Sequence, residues 1–85
     1  MLHEDIGTDI GDCLVVKQWN AAVLVTLLDY RRVKRWVPYS EIKYDSEVNK
    51  FSRVGHHGIL IVSTWLARKV RQEHEPTNNG RDRNP

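Results

Sequence analysis

Few residues in this chain could carry bond-making chemistry. His56 and His57 are adjacent, Cys13 is the single cysteine, and His74 lies near the C-terminus. A zinc site built from these is arithmetically open, but no C-x-x-C or H-x-x-x-H spacing supports one, and adjacent histidines on an extended chain point apart. Cys13 with a histidine would be a nucleophile and base. A lone cysteine at the start of a strand is more commonly a small buried apolar residue. Glu41, Asp45 and Glu47 could supply paired acids, yet a solvated turn explains them. Asp5-Ile6-Gly7 and Asp9-Ile10-Gly11 form a short acidic echo, but the D-x-D-x-D-G calcium loop with its distal Glu is absent. No catalytic residue, metal or cofactor is expected, and the chain is read as a non-enzyme.

Cations interleaved with rings are a better signal. Lys17 lies near Trp19; Tyr30 adjoins Arg31 and Arg32; Lys34 and Arg35 precede Trp36; Lys43 precedes Tyr44. Single-stranded nucleic acid is held by this mixture, with cations for the phosphates and π faces for unstacked bases. The net charge of +2 is uneven: residues 1–12 carry −4, residues 13–72 carry +7 and residues 73–85 carry −1. A small body with that excess attracts anions. The expected nucleic-acid-binding residues are therefore Tyr30, Arg31, Arg32, Lys34, Arg35, Lys17 and Lys43. Trp36 and Trp65 are assigned to the core, because a small domain needs large side chains there. Tyr30, flanked by arginines in a loop, is expected to be uncovered.

The elements that position these residues are short. Residues 13–19 read as a first strand with a tight turn at Asn20, and residues 21–28, rich in β-branched side chains, as a second. Asp29-Tyr30-Arg31-Arg32 has no glycine, so a two-residue primed turn would be strained and a longer loop is expected. Residues 33–38 form the organising strand, ended by Pro38. On it Val33, Arg35 and Val37 face one way, Lys34 and Trp36 the other, and the Trp side is assigned to the core. A Ser40-Glu41 turn, polar bends through Val48 and a basic connector to Arg53 follow. Ile59–Ser63 is the last strand. Thr64 is a candidate cap for a helix over 65–72, with Trp65, Leu66, Lys69 and Val70 on one stripe and Arg68 and Arg71 outside it.

These elements predict a mainly β fold: a small barrel-like or strongly bent antiparallel sheet of four or five strands with one short C-terminal helix. Residues 1–10 are read as a flexible acidic arm, 11–73 as the domain and 74–85 as a disordered tail. An 85-residue chain is one domain at most. No apolar run approaches the roughly 18 residues that span a bilayer, and no basic segment followed by an apolar block opens the chain. With no second cysteine for a disulfide, a cytoplasmic protein without membrane contact is expected.

The matched string Gly11-x-Cys13, Ala22-Val23-Leu24-Val25, Trp36-Val37-Pro38-x-Ser40-x-Ile42, Asp45-Ser46-Glu47-Val48 and Gly55-x-x-Gly58-x-Leu60-x-Val62-x-x-Trp65-x-Ala67 resembles a group of small single-domain proteins of phage and bacterial genomes, over roughly residues 11–70. The group has no assigned activity, so the resemblance implies a compact, mostly β unit of phage-like or bacterial origin and no chemistry. Residues 28–35 depart from it: the relatives carry a short Asp-Gly type turn with acidic neighbours, whereas this loop is basic and lacks the glycine. A function of the relatives that depends on that loop does not carry over.

The functional expectation is a non-enzymatic binding module for nucleic acid, single-stranded in preference to duplex. The alternative is a phage-type accessory or counter-defence protein that covers a host or phage protein, or pairs with itself as a homodimer through an exposed strand.

Overall fold

The computed structural model describes residues 6–76. Four strands, β1 (Thr8–Gln18), β2 (Ala22–Leu27), β3 (Val33–Pro38) and β4 (His57–Val62), form one antiparallel sheet in the order β3-β2-β1-β4, followed by helix α1 (Thr64–Glu73). The fold is mainly β with a single C-terminal helix, as the sequence indicates. The sheet bends strongly without closing into a barrel.

The bend originates in β1, which runs through the middle of the sheet. Its pairing with β4 slips between Asp9 and Asp12, and its pairing with β2 slips between Val15 and Lys17. Each irregularity adds local twist and curls the strand. At the first, Gly11 has φ +97° and a Cβ there would overlap the Asp29 carboxylate. Glycine alone meets both conditions. β1 starts at Thr8 and Ile10 is buried, so residues 8–10 belong to the sheet and not to an arm. The remainder of the arm, residues 1–5, and the tail from residue 77 onward lie outside the described residues.

The concave side of the sheet takes Cys13, Val15, Val23, Val25, Leu27, Val37, Leu60 and Val62. Helix α1 covers it with Leu66, Ala67 and Val70. A helix of ten residues has too few turns to persist alone, so this apolar stripe holds it. Trp65 is on the solvent side of the stripe, a correction to its core assignment. Its Nε1 donates to Glu41 Oε1 at 3.0 Å. Ser63, not Thr64, is the N-cap residue. Its Oγ donates to that same carboxylate oxygen at 2.6 Å, while Thr64 Oγ1 pairs with Thr8 Oγ1 at 3.0 Å.

The outer edge of β4 is covered by the chain between β3 and β4. Ile42 bridges Val62, Lys43 N–H donates to Ile61 O, and the N–H groups of Glu47 and Val48 both donate to Ile59 O. Ser46 Oγ and Glu47 Oε1 accept from the N–H groups of Ile61 and Ile59. This irregular segment does the work of a fifth strand. Among the described residues no helix is long and apolar enough to cross a membrane.

Candidate nucleic-acid interface

Among the described residues no helix or strand covers the convex face of the sheet, and the strand register specifies its residues. Directly paired residues on neighbouring strands share a face. Lys17, Leu24 and Trp36 form one such row across β1, β2 and β3; Leu14, Thr26 and Lys34 form the next, extended onto β4 by His57. Lys17 and Leu14 are three apart on β1, and only the slip at Val16 puts both on this face. Trp19, two residues beyond Lys17, stays on the same side, with its N–H donating to Ala22 O at 2.9 Å. Lys17, Trp19, Ala22 and Trp36 together line a shallow cavity of about 360 Å³.

The result is a face with two rings and two cations. Trp19 is 64% exposed and Trp36 is 42% exposed. The rows of Lys17 and of Lys34 contain no acidic residue; toward the β4 margin the register places Asp12 and Asp9 on this face, opposite Ile59 and Ile61, with Asp12 3.8 Å from His57. Trp36 is thus a solvent-side residue, contrary to its core assignment. The opposite side of β3 holds Val33, Arg35 and Val37, and the paired β2 residues on that side are Leu27, Val25 and Val23. Two β-branched chains against three buried apolar partners outweigh one Trp, and Arg35 is accommodated by reaching past the core to Glu73.

The other expected site residues disperse. Tyr30 is only 5% exposed and packs in the core, with Arg71 Nε donating to its hydroxyl at 3.3 Å. The expectation of an uncovered ring fails because the loop folds its base back: Tyr30 and Arg32 both donate N–H bonds to Leu27 O. The loop spans residues 28–32, longer than a two-residue turn, yet Arg31 and Arg32 both take φ 60°. Arg31 is ion-paired with Glu75 at 2.9 Å and Arg32 is exposed at the loop tip. Arg35 is mostly covered: Nε and Nη2 bind Glu73 Oε1 at 3.2 and 3.0 Å, and Nη1 donates to Trp36 O at 3.1 Å. Lys43 lies on the separate segment that edges β4. The structure therefore brings together Lys17 and Lys34 with the missed Trp19 and Trp36. The signal that could have found the rings was the shared side of Lys34 and Trp36, opposite two valines.

The remaining groups have structural occupations. The Cys13 thiol is pushed up to about 12, chiefly by burial and further by the Asp12 charge, so it stays protonated within the core. His56 Nε2 donates to Glu47 O at 3.1 Å. Among the described residues, no three of the His, Cys, Asp and Glu side chains are grouped to hold a metal ion. Compared with known families, curated proteins and solved structures, the chain finds no match: no family model, no curated relative and no similar solved structure.

Proposed function

We propose that the convex sheet face binds single-stranded nucleic acid, with bases stacking on Trp19 and Trp36 and phosphates meeting Lys17 and Lys34. The observation that carries this reading is that the exposed indoles of Trp19 and Trp36 line one cavity with Lys17, and that the two rows holding Lys17, Trp36 and Lys34 contain no carboxylate, the acidic Asp9 and Asp12 lying toward the β4 margin. Stacking on aromatic side chains contributes about 1–3 kcal/mol per base and tolerates any sequence. The +7 body supplies the long-range attraction. Arg32, exposed at the loop that follows β2, extends the cationic rim beyond Lys34.

The test is equilibrium binding of short DNA and RNA oligonucleotides across a salt series. Binding is expected to weaken with salt, and each of Lys17→Ala and Lys34→Ala is expected to flatten the log–log slope by about 0.7. Absence of salt-dependent binding to any single strand at low ionic strength overturns the reading.

Leu14 and Leu24 within the same face favour a second reading, a protein partner laid on the apolar strip, as in a phage-type accessory protein. A stoichiometric partner that survives nuclease treatment and is lost with Leu14→Glu supports it. Augmentation of the sheet at β3 is disfavoured, because Lys34, Pro38 and the Arg35 contact to Trp36 O blunt that edge.

A further inference from the structure

A second uncovered pair of rings lies beyond the end of this face. Tyr44 is 98% exposed and Phe51 is 80% exposed. Together with Tyr39, Ile42, Lys43 and Lys50 they line a groove of about 550 Å³, and Lys50 Nζ sits 5.3 Å from the centre of the Phe51 ring. Nothing in the core requires either ring, since each leaves nearly all its surface in solvent. The groove walls include two lysines and, among the described residues, no carboxylate. Glu47 lines an adjoining cavity with Asn49, Phe51 and His56, and its side chain is engaged there, accepting from Ile59 N–H at 2.7 Å. Asp45 adjoins Tyr44 in sequence but is not part of the walls.

The groove is fastened to the end of the sheet that carries Trp19. The β1–β2 turn occupies residues 19–21. On one side of it Tyr39 N–H donates to Ala21 O at 2.9 Å, and Gln18 Nε2 donates to Ser52 O. Residues 18 and 52 are the immediate neighbours of Trp19 and Phe51. The turn therefore stands between the Trp19 end of the convex face and the Tyr44–Phe51 groove, each of which combines two exposed rings with two lysines.

We infer that a single strand bound on the convex face continues around the β1–β2 turn into this groove, where Phe51 and Tyr44 stack further bases and Lys43 and Lys50 meet further phosphates. The inference rests on the reading of the convex face given above and deepens it. The ligand must be long enough to reach both sides of the turn, and a flexible single strand can round it where a stiff duplex cannot. A single fold of this size accommodates about 4–16 nucleotides in the known single-strand binders, which leaves room for both sides on one strand.

The experiment compares oligothymidylates of about 4 and about 12 nucleotides, within that range of site sizes, by fluorescence anisotropy at low salt. Three proteins are used: wild type, Tyr44→Ala/Phe51→Ala and Trp36→Ala. The expected result is that Tyr44→Ala/Phe51→Ala weakens the longer strand by about fivefold or more, the effect of losing one stacked base, and leaves the shorter one unchanged. Trp36→Ala is expected to weaken both. If the groove variant binds the longer strand as wild type does, while Trp36→Ala weakens both, the extension is overturned and the convex-face reading stands. If wild type binds neither strand, both fall. The exposure of Tyr44 and Phe51 keeps the variant folded, which thermal unfolding alongside wild type checks.

Discussion

Arg35 on β3 and Glu73 at the end of α1 are joined by two hydrogen bonds to one carboxylate oxygen, at 3.2 and 3.0 Å. The contact ties the last turn of the helix to the edge strand, 38 residues away in sequence. Lys69 approaches the other Glu73 oxygen at 4.0 Å. Arg35 is therefore a structural cation, and its loss is separable from binding. Arg35→Ala is expected to lower stability by about 1 kcal/mol at low salt and by less at about 1 M, where the partly exposed Glu73 is screened. Urea unfolding measures this, and affinity for a short single strand is expected to remain at the wild-type level.

The two tyrosine and tryptophan positions that sequence reasoning exchanged give opposite outcomes. Trp36→Ala removes an exposed ring, so the fold is expected to survive while single-strand affinity drops by about 1–3 kcal/mol. Tyr30→Ala empties a core site and is expected to cost about 3–5 kcal/mol of stability. Tyr30→Phe loses only the bond from Arg71, about 0.5–1.5 kcal/mol. Circular dichroism melts and binding titrations on the same samples separate the two residues.

What was legible in the chain was whatever repeats locally. The alternation of Val23, Val25 and Leu27, the Pro38 stop and the apolar stripe of α1 each show within a few residues, and they led to a bent sheet with one helix. Inward and outward on β3 could not be decided from β3 alone. Val33-Arg35-Val37 and Lys34-Trp36 each offer a cation and an apolar group, and the choice depends on β2 opposite and on Glu73. Tyr30 was obscured for the same reason, because the residue that donates to its hydroxyl, Arg71, is 41 positions away. The cover over β4 was hidden because Glu41–Val48 makes its bonds irregularly, partly through Ser46 and Glu47 side chains. Lys17 and Lys34 were both among the expected residues, but the slip at Val16 that turns Lys17 toward the face of Lys34 leaves no mark in composition.

The loop after β2 carries two arginines in the left-handed region, each with φ 60°. A side chain there costs roughly 1 kcal/mol, and glycine avoids it. Arg32 is the cleaner site, since Arg31 is paired with Glu75. Arg32→Gly is expected to raise stability by about 0.5 kcal/mol, because relief of strain exceeds the entropy that glycine adds to the unfolded chain. Arg32→Val is expected to lower it by about 1 kcal/mol, β-branching being poorly tolerated at positive φ. A shift of the urea midpoint in the same direction for both variants would contradict this account.

Cys13 provides a pH prediction with a definite sign. Its thiol is raised from the ordinary 9.0 to about 12, first by burial and then by the neighbouring Asp12 carboxylate. In the unfolded chain the thiol ionises near its ordinary value, whereas in the folded chain it holds its proton. The native state gains nothing from this group by further acidification below pH 9, where both states are protonated. Between about 9 and about 12 the unfolded state alone releases a proton, so stability contributed by Cys13 falls by up to about 1.4 kcal/mol per pH unit. Cys13→Ala lacks that loss, although it is less stable at neutral pH through the small cavity it leaves. Urea unfolding of both proteins at a series of pH values from neutral to alkaline is expected to show the gap between them narrowing above pH 9. Parallel curves would mean that the thiol is open to solvent, and a thiol reagent would then label the folded protein as fast as the unfolded one.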